Sequence, residues 1–174
     1  VTVRGTDTLT TEIRYDGKEA EELTIENAYS AIGTLNLIAQ KKLTTTESPL
    51  AENQFTFVLC DKDGGVIQTK KNDAKGKVTF DPINYKFDKD RSDLGVHEYK
   101  VQEVKGDADG YTYDTTVYTI KATVIDNGDG TLNVTKEITR FITDSEIASV
   151  SEMVFTNTYT TAGEVALTAT KTLE

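Results

Sequence analysis

Lys41, Glu103 and Asn157 are the side chains of this 174-residue chain whose types could react with one another. An amine, a carboxyl and a carboxamide can exchange into an amide: the amine attacks the carboxamide carbon, the carboxyl moves protons, and ammonia leaves. In water the exchange is negligible. A fold that holds the three groups in contact makes it intramolecular, which lowers the barrier by about 7–11 kcal/mol. Strand parity selects these residues. Side chains alternate across a strand, so Leu35, Leu37, Ala39, Lys41 and Leu43 share one face. Tyr99, Val101 and Glu103 share another, and Met153, Phe155, Asn157 and Tyr159 a third. One polar or charged member in each row points inward with its apolar neighbours.

A charge buried alone costs several kcal/mol, so an inward Lys, Glu and Asn are expected to find one another. Desolvation lowers the amine pKa and raises that of the acid, moving the pair toward a neutral amine and a neutral acid. The neutral amine is the nucleophile. The acid is expected to donate a hydrogen bond to the Asn157 side-chain carbonyl, making its carbon electrophilic. The product would be a Lys41–Asn157 isopeptide bond; the plainer outcome is a buried salt bridge with an amide.

The elements that must position these groups are strands. Roughly one residue in six is Thr, and with Val, Ile, Tyr and Phe this favours pleated, half-buried backbone. Strands are expected near 34–43, 54–60, 66–70, 77–81, 97–105, 117–125, 131–139 and 152–160, with Asp/Gly turns at 61–65, 72–76 and 126–130. Short strands at this spacing predict an all-β sandwich. The stretch 16–23 reads as a polar loop or single turn, and 82–96 and 140–151 as irregular.

Residues 27–43 align without a gap on 157–173, sharing Asn, Tyr, Gly, Leu, Ala, Lys and Leu; Asn27 to Asn157 and Lys41 to Lys171 are each 130 residues apart. The chain is therefore expected to hold the C-terminal part of a preceding repeat (1–30), a complete repeat (31–162) and the first strand of the next (163–174). Its opening at Val1, without an initiator Met or a leader, is read as that of a piece of something longer. Asn27 and Lys171 are the counterparts of the reactive pair. Each lacks its acid, so both are expected to stay unlinked.

Composition narrows the alternatives. With 19 basic against 29 acidic side chains, net charge -10 and no basic stripe, nucleic acid would be repelled. No run of 18 apolar residues exists to span a bilayer. One His and one Cys leave too few ligands for a zinc site and too few partners for a catalytic triad or an internal disulfide. No metal or cofactor is expected, and no turnover enzyme. His97 reads as a surface or hydrogen-bonding residue and Cys60 as peripheral or partly exposed. The Asp/Gly clusters read as turns rather than calcium loops; Tyr111, Tyr113 and Tyr118 could offer a sugar-stacking platform, but Tyr113 and the adjacent Asp114 are expected to tie strands together instead.

Five motifs in order, Ala39-Gln-Lys41, Gln54 to Leu59, Tyr99 to Glu103, Gly110 to Tyr118 and Phe155 to Tyr159, resemble the streptococcal-pilin isopeptide-linkage domains of Gram-positive surface proteins and pilus shafts. The resemblance runs from about 34 to 160. It implies an Ig-like, CnaB-type sandwich in which a first-strand Lys bonds a last-strand Asn with help from a Glu on a middle strand. Carried over, these are Lys41, Asn157 and Glu103. It also implies an extracellular, wall-anchored protein whose partners are adjacent repeats of the same polypeptide or fibre. The leading expectation is a structural repeat of a pilus, fibre or adhesin stalk. The alternative is an adhesin domain that binds a host protein or glycan.

Overall fold

The computed structural model describes residues 2–4, 10–12, 14–15, 18–19, 28–44, 50–143 and 146–160. Among them every regular element is a strand, and no helix is present that could cross a membrane. Two short antiparallel ladders come first, β1 (Thr2–Arg4) with β2 (Thr10–Glu12) and β3 (Arg14–Tyr15) with β4 (Lys18–Glu19). The polar stretch 16–23 thus carries strand residues at Lys18–Glu19; its remainder lies outside the described residues, as do Asn27 and Lys171.

The main body follows as β5 (Ala31–Leu35), β6 (Ile38–Leu43), β7 (Thr56–Asp61), β8 (Val66–Lys71), β9 (Lys77–Thr79), β10 (Ile83–Phe87), β11 (Gly95–Glu103), β12 (Tyr111–Thr112), β13 (Val117–Asp126), β14 (Leu132–Thr143), β15 (Glu146–Val150) and β16 (Met153–Tyr159). One sheet has the order β15-β14-β13-β11-β7-β8 and a second the order β12-β16-β6-β9, with β5 and β10 forming a separate ladder. Aromatic side chains bridge the two larger sheets. Phe57 and Phe155 have centroids 5.2 Å apart, Tyr118 meets Phe155 edge-on at 5.1 Å, and Phe55 meets Tyr111 edge-on at 5.4 Å. The expected sandwich of facing sheets is therefore present, with one hydrophobic core between them.

Alternation explains the layering. Along β13, Tyr118, Ile120, Ala122 and Val124 are buried while the residues between them are partly or fully exposed. Turn chemistry follows the Asp residues. Asp61 Oδ1 accepts from the main-chain N–H of Asp63 at 3.0 Å and of Gly65 at 2.7 Å, and Asp129 Oδ1 accepts from that of Thr131 at 2.9 Å.

The structure departs from the expected elements in several places. The strand expected over 34–43 is broken at Asn36–Leu37 into β5 and β6. β10 and β15 occupy stretches expected to be irregular, since β10 buries only Tyr85 and β15 is an edge strand with no buried residue. Cys60, expected to pack peripherally or to be partly exposed, lies off the core cluster but is only 5% exposed. It lies on a strand flanked on both sides, in register with Lys100 of β11 and Val66 of β8, whose longer side chains flank its short one on the outer face of the sheet.

Candidate functional site

β6 and β16 run side by side in the one parallel ladder among the described strands, with Ala39 opposite Met153 and Lys41 opposite Phe155. Asn157 lies two residues beyond Phe155, on the same face and one diagonal step from Lys41. Glu103 ends β11 on the facing sheet, in register with Phe57 of β7. Parallel strands need a long crossover between them, and here nearly the whole domain is that crossover.

The three side chains meet. Lys41 Nζ donates to Glu103 Oε2 at 2.7 Å, and Asn157 Nδ2 donates to Glu103 Oε1 at 2.8 Å. One carboxyl group thus joins the amine to the amide nitrogen. Lys41 is 1% exposed, Glu103 7% and Asn157 0%. The Lys41 ammonium also sits 4.6 Å from the centroid of the Phe55 ring and 6.0 Å from that of Phe57. Burial is the largest influence on both titratable groups. It holds the Lys41 amine below the usual lysine range against the pull of Glu103, and it holds the Glu103 carboxyl above the usual range against Lys41 and Asn157. Both shifts favour the neutral pair.

The amide of Asn157 has a defined orientation. Its Oδ1 accepts from the main-chain N–H of Asp114 at 2.7 Å, and an N–H can only donate, so Nδ2 is left facing Glu103. This differs from the expected contact between the Glu103 acid and the amide carbonyl: the carboxyl lies on the nitrogen side. The Asp114 carboxylate is itself engaged, Oδ2 accepting from the main-chain N–H of Thr156 at 2.7 Å and Oδ1 from that of Thr116 at 2.8 Å.

Other residues singled out by sequence go elsewhere. His97 lies in β11, its Nε2 is 2.8 Å from the Asp93 main-chain oxygen, and its ring is 4.9 Å from that of Tyr85. Tyr118 is buried with its hydroxyl donating to the Val154 carbonyl at 2.7 Å, while Tyr111 packs among Phe55, Tyr113 and Tyr159. Neither forms an open platform. Sequence reading took Asn72 for an ordinary turn residue. It is 1% exposed; its Oδ1 accepts from the Phe55 main-chain N–H at 2.8 Å and its Nδ2 donates to the Ala51 carbonyl at 2.8 Å, anchoring Phe55 at the entry to β7 beside the amine.

A family model, FctA, the Spy0128-like isopeptide containing domain, matches residues 37–160. The chain belongs to this family. The FctA match begins just before β6 and ends just after β16, so it takes in both parallel strands and everything between them. Among solved structures, the major pilin from Streptococcus pyogenes is similar to this FctA-family chain at 21% identity, covering 77% of it and 51% of the pilin, with a TM-score of 0.40. The major pilin protein T-13 of that organism is similar at 16% identity, covering 76% and 55%, with a TM-score of 0.46. The chain spans about half the length of these structures. No curated protein matches it.

Proposed function

We propose that this FctA-family domain is a load-bearing structural repeat of a Gram-positive cell-surface fibre, pilus or adhesin stalk, and that it crosslinks itself once through an amide between Lys41 and Asn157. The observation that carries the reading is the buried carboxyl of Glu103 bonded to the amine on one oxygen and the amide nitrogen on the other.

The chemistry follows from that bridge. A proton passes from the Lys41 ammonium to Glu103, leaving a neutral amine beside a neutral acid. Nζ attacks Cγ of Asn157, forming the Nζ–Cγ bond and placing negative charge on Oδ1. Glu103 gives a proton to Nδ2 and recovers one from Nζ. The Cγ–Nδ2 bond then breaks and ammonia departs. The product is a secondary amide, with Glu103 left as the neutral acid. No cofactor or outside energy enters, and no second turnover is possible because the amine and the amide are consumed.

The same reading covers the wider setting. The protein would be extracellular and wall-anchored, and its partners would be adjacent repeats, in an Ig-like arrangement with 1–30 closing a preceding repeat and 163–174 opening the next. Asn27 and Lys171 would stay unlinked for want of an acid. An amide also resists the reduction that would open a disulfide, which suits a chain with one cysteine. Intact mass tests the crosslink. The wild-type protein should weigh one ammonia less than its sequence, and Lys41→Ala, Glu103→Ala and Asn157→Ala should each restore the full mass. A wild-type protein of full mass rejects the reading.

A further inference from the structure

Resting on the reading above, we propose that Asp114 supplies a one-donor oxyanion hole for the crosslinking step, its main-chain N–H stabilising the charge that develops on Asn157 Oδ1 while its carboxylate holds that N–H in place. The N–H already lies 2.7 Å from Oδ1, the atom that becomes negative when the amine attacks. Glu103 cannot serve this purpose. Both its oxygens face nitrogen, one on the amine and one on the leaving amide, so the carbonyl side of Asn157 depends on another donor.

The placement of that donor is built from two further contacts. Asp114 follows the short strand β12, which pairs with β16 through Tyr111 opposite Tyr159 and Thr112 opposite Thr158. At Asp114 the ladder gives way to a clamp. The carboxylate takes the main-chain N–H of Thr156, the residue before Asn157, at 2.7 Å, and with its other oxygen that of Thr116 at 2.8 Å. The side chain thus ties the Asp114 backbone to Thr156 of β16 and to Thr116 two residues on, with β16 gripped at one residue and the Asn157 side chain touched at the next. A preorganised donor of this kind costs no reorganisation at the moment of reaction, and removing one from an acyl-transfer site slows the reaction by about 10²–10³. Asp114 is otherwise an unusual choice, since a carboxylate near the amine and acid raises the pKa of both. The clamp explains its presence.

The direct test replaces only the donor. The chain is prepared with the α-hydroxy acid analogue of Asp at position 114, so that the amide N–H becomes an ester oxygen, and is kept unlinked in denaturant. Folding is started by dilution, and the fraction lacking one ammonia is followed by mass. The expected result is a crosslinking rate lower than wild type by about 10²–10³, with the shape of the pH–rate profile unchanged because the amine and the acid are untouched. In parallel, Asp114→Ala should slow the reaction and Asp114→Asn, whose oxygen can still accept one N–H, should recover part of the rate. If wild type crosslinks and the ester variant keeps pace with it, the oxyanion role is overturned while the crosslink stands. A slow ester variant with a displaced pH profile also overturns it, since the effect then runs through the charges. If wild type never loses ammonia, both readings fall together.

Discussion

Glu103 is the residue on which the charge of the site and the proposed chemistry both turn. With Lys41 it forms a coupled pair, and the ion pair and the neutral pair carry the same number of protons. Between the two macroscopic pKa values the reactive form is therefore a constant fraction, and the crosslinking rate of the freshly folded protein should be flat with pH. It should fall at low pH, where Glu103 keeps its proton and Lys41 is also charged. It should fall again at high pH, where the pair loses its shared proton. Burial raises the acid and lowers the amine, so both limbs lie inward of the ordinary values of about 4.3 and 10.4. A rate that climbs steadily to pH 10, as for a free lysine, would contradict the proton relay. The same pair sets a stability prediction in a background that cannot crosslink. In Asn157→Ala, adding Glu103→Ala strands a buried ammonium and should cost about 3–5 kcal/mol in denaturant unfolding, whereas adding Lys41→Met and Glu103→Leu together should recover most of it. That these three side chains meet was legible in the sequence, because a charge or amide at an inward strand position breaks an otherwise apolar row. Asp114 was legible only as a residue that ties strands together, not as a neighbour of the Asn157 amide, and Asn72 only as a turn residue. They lie outside long strands, where polar residues are ordinary, and what they do depends on main-chain groups that a sequence does not display.

At the level of elements, the register of β6 does most of the positioning. A shift of one residue would turn Lys41 to the outer face and rule out the proposed crosslink. β6 is held on one side by β16 and on the other by β9, and the turn before β9 closes directly on Lys41. Gly76 has φ of 83°, and its carbonyl accepts from the Lys41 main-chain N–H at 2.6 Å. A Cβ on Gly76 would come within 2.2 Å of the Lys41 carbonyl oxygen. Gly76→Ala should thus combine a strained left-handed backbone with a clash, costing roughly 1–3 kcal/mol for the backbone alone, and it should slow the loss of ammonia by moving Lys41. Normal crosslinking and an unchanged melting temperature in Gly76→Ala would show that β6 takes its register from β16 alone. The long strands β11, β13 and β14 were legible from alternation over many residues. β10, β12 and β15 were not, because a strand that buries one side chain or none leaves no period to read. Their pairing is set by the neighbours they lie against.

For the whole molecule, the proposed crosslink divides the chain into a protected loop and an unprotected arm. The residues leading into β5 are docked at one end of the sandwich, where the Tyr29 hydroxyl donates to Asp126 at 2.7 Å and Ile32 N–H to the Gly130 carbonyl at 3.2 Å. The chain leaves at the other end, where Thr160 N–H donates to the Gly110 carbonyl at 2.9 Å. A pull on the two ends loads the parallel strands β6 and β16 in shear, and an amide between Lys41 and Asn157 would carry that load across. Everything from 42 to 156 would then be relieved of tension. Closing so long a loop also restricts the unfolded chain, by analogy with a disulfide on the order of 4–5 kcal/mol. Residues 30–40 lie outside the loop. They are held by the five-residue ladder of β5 with β10, by Ile32 on Gly130, by the first residues of β6 and by the core burial of Ala31, Leu35, Leu37 and Ala39, but by no covalent link, so they are the part that can yield. With force applied through handles at Ser30 and Thr160, the wild-type protein should lengthen only by release of this arm, whose full contour is roughly 40 Å. Glu103→Ala, lacking the bond, should give up the whole domain and lengthen by roughly 400 Å. A wild-type protein that extends as far as the variant would mean that the load does not pass through Lys41 and Asn157. A wild-type protein with no early step would mean that β5 is locked to the body more tightly than these non-covalent contacts account for.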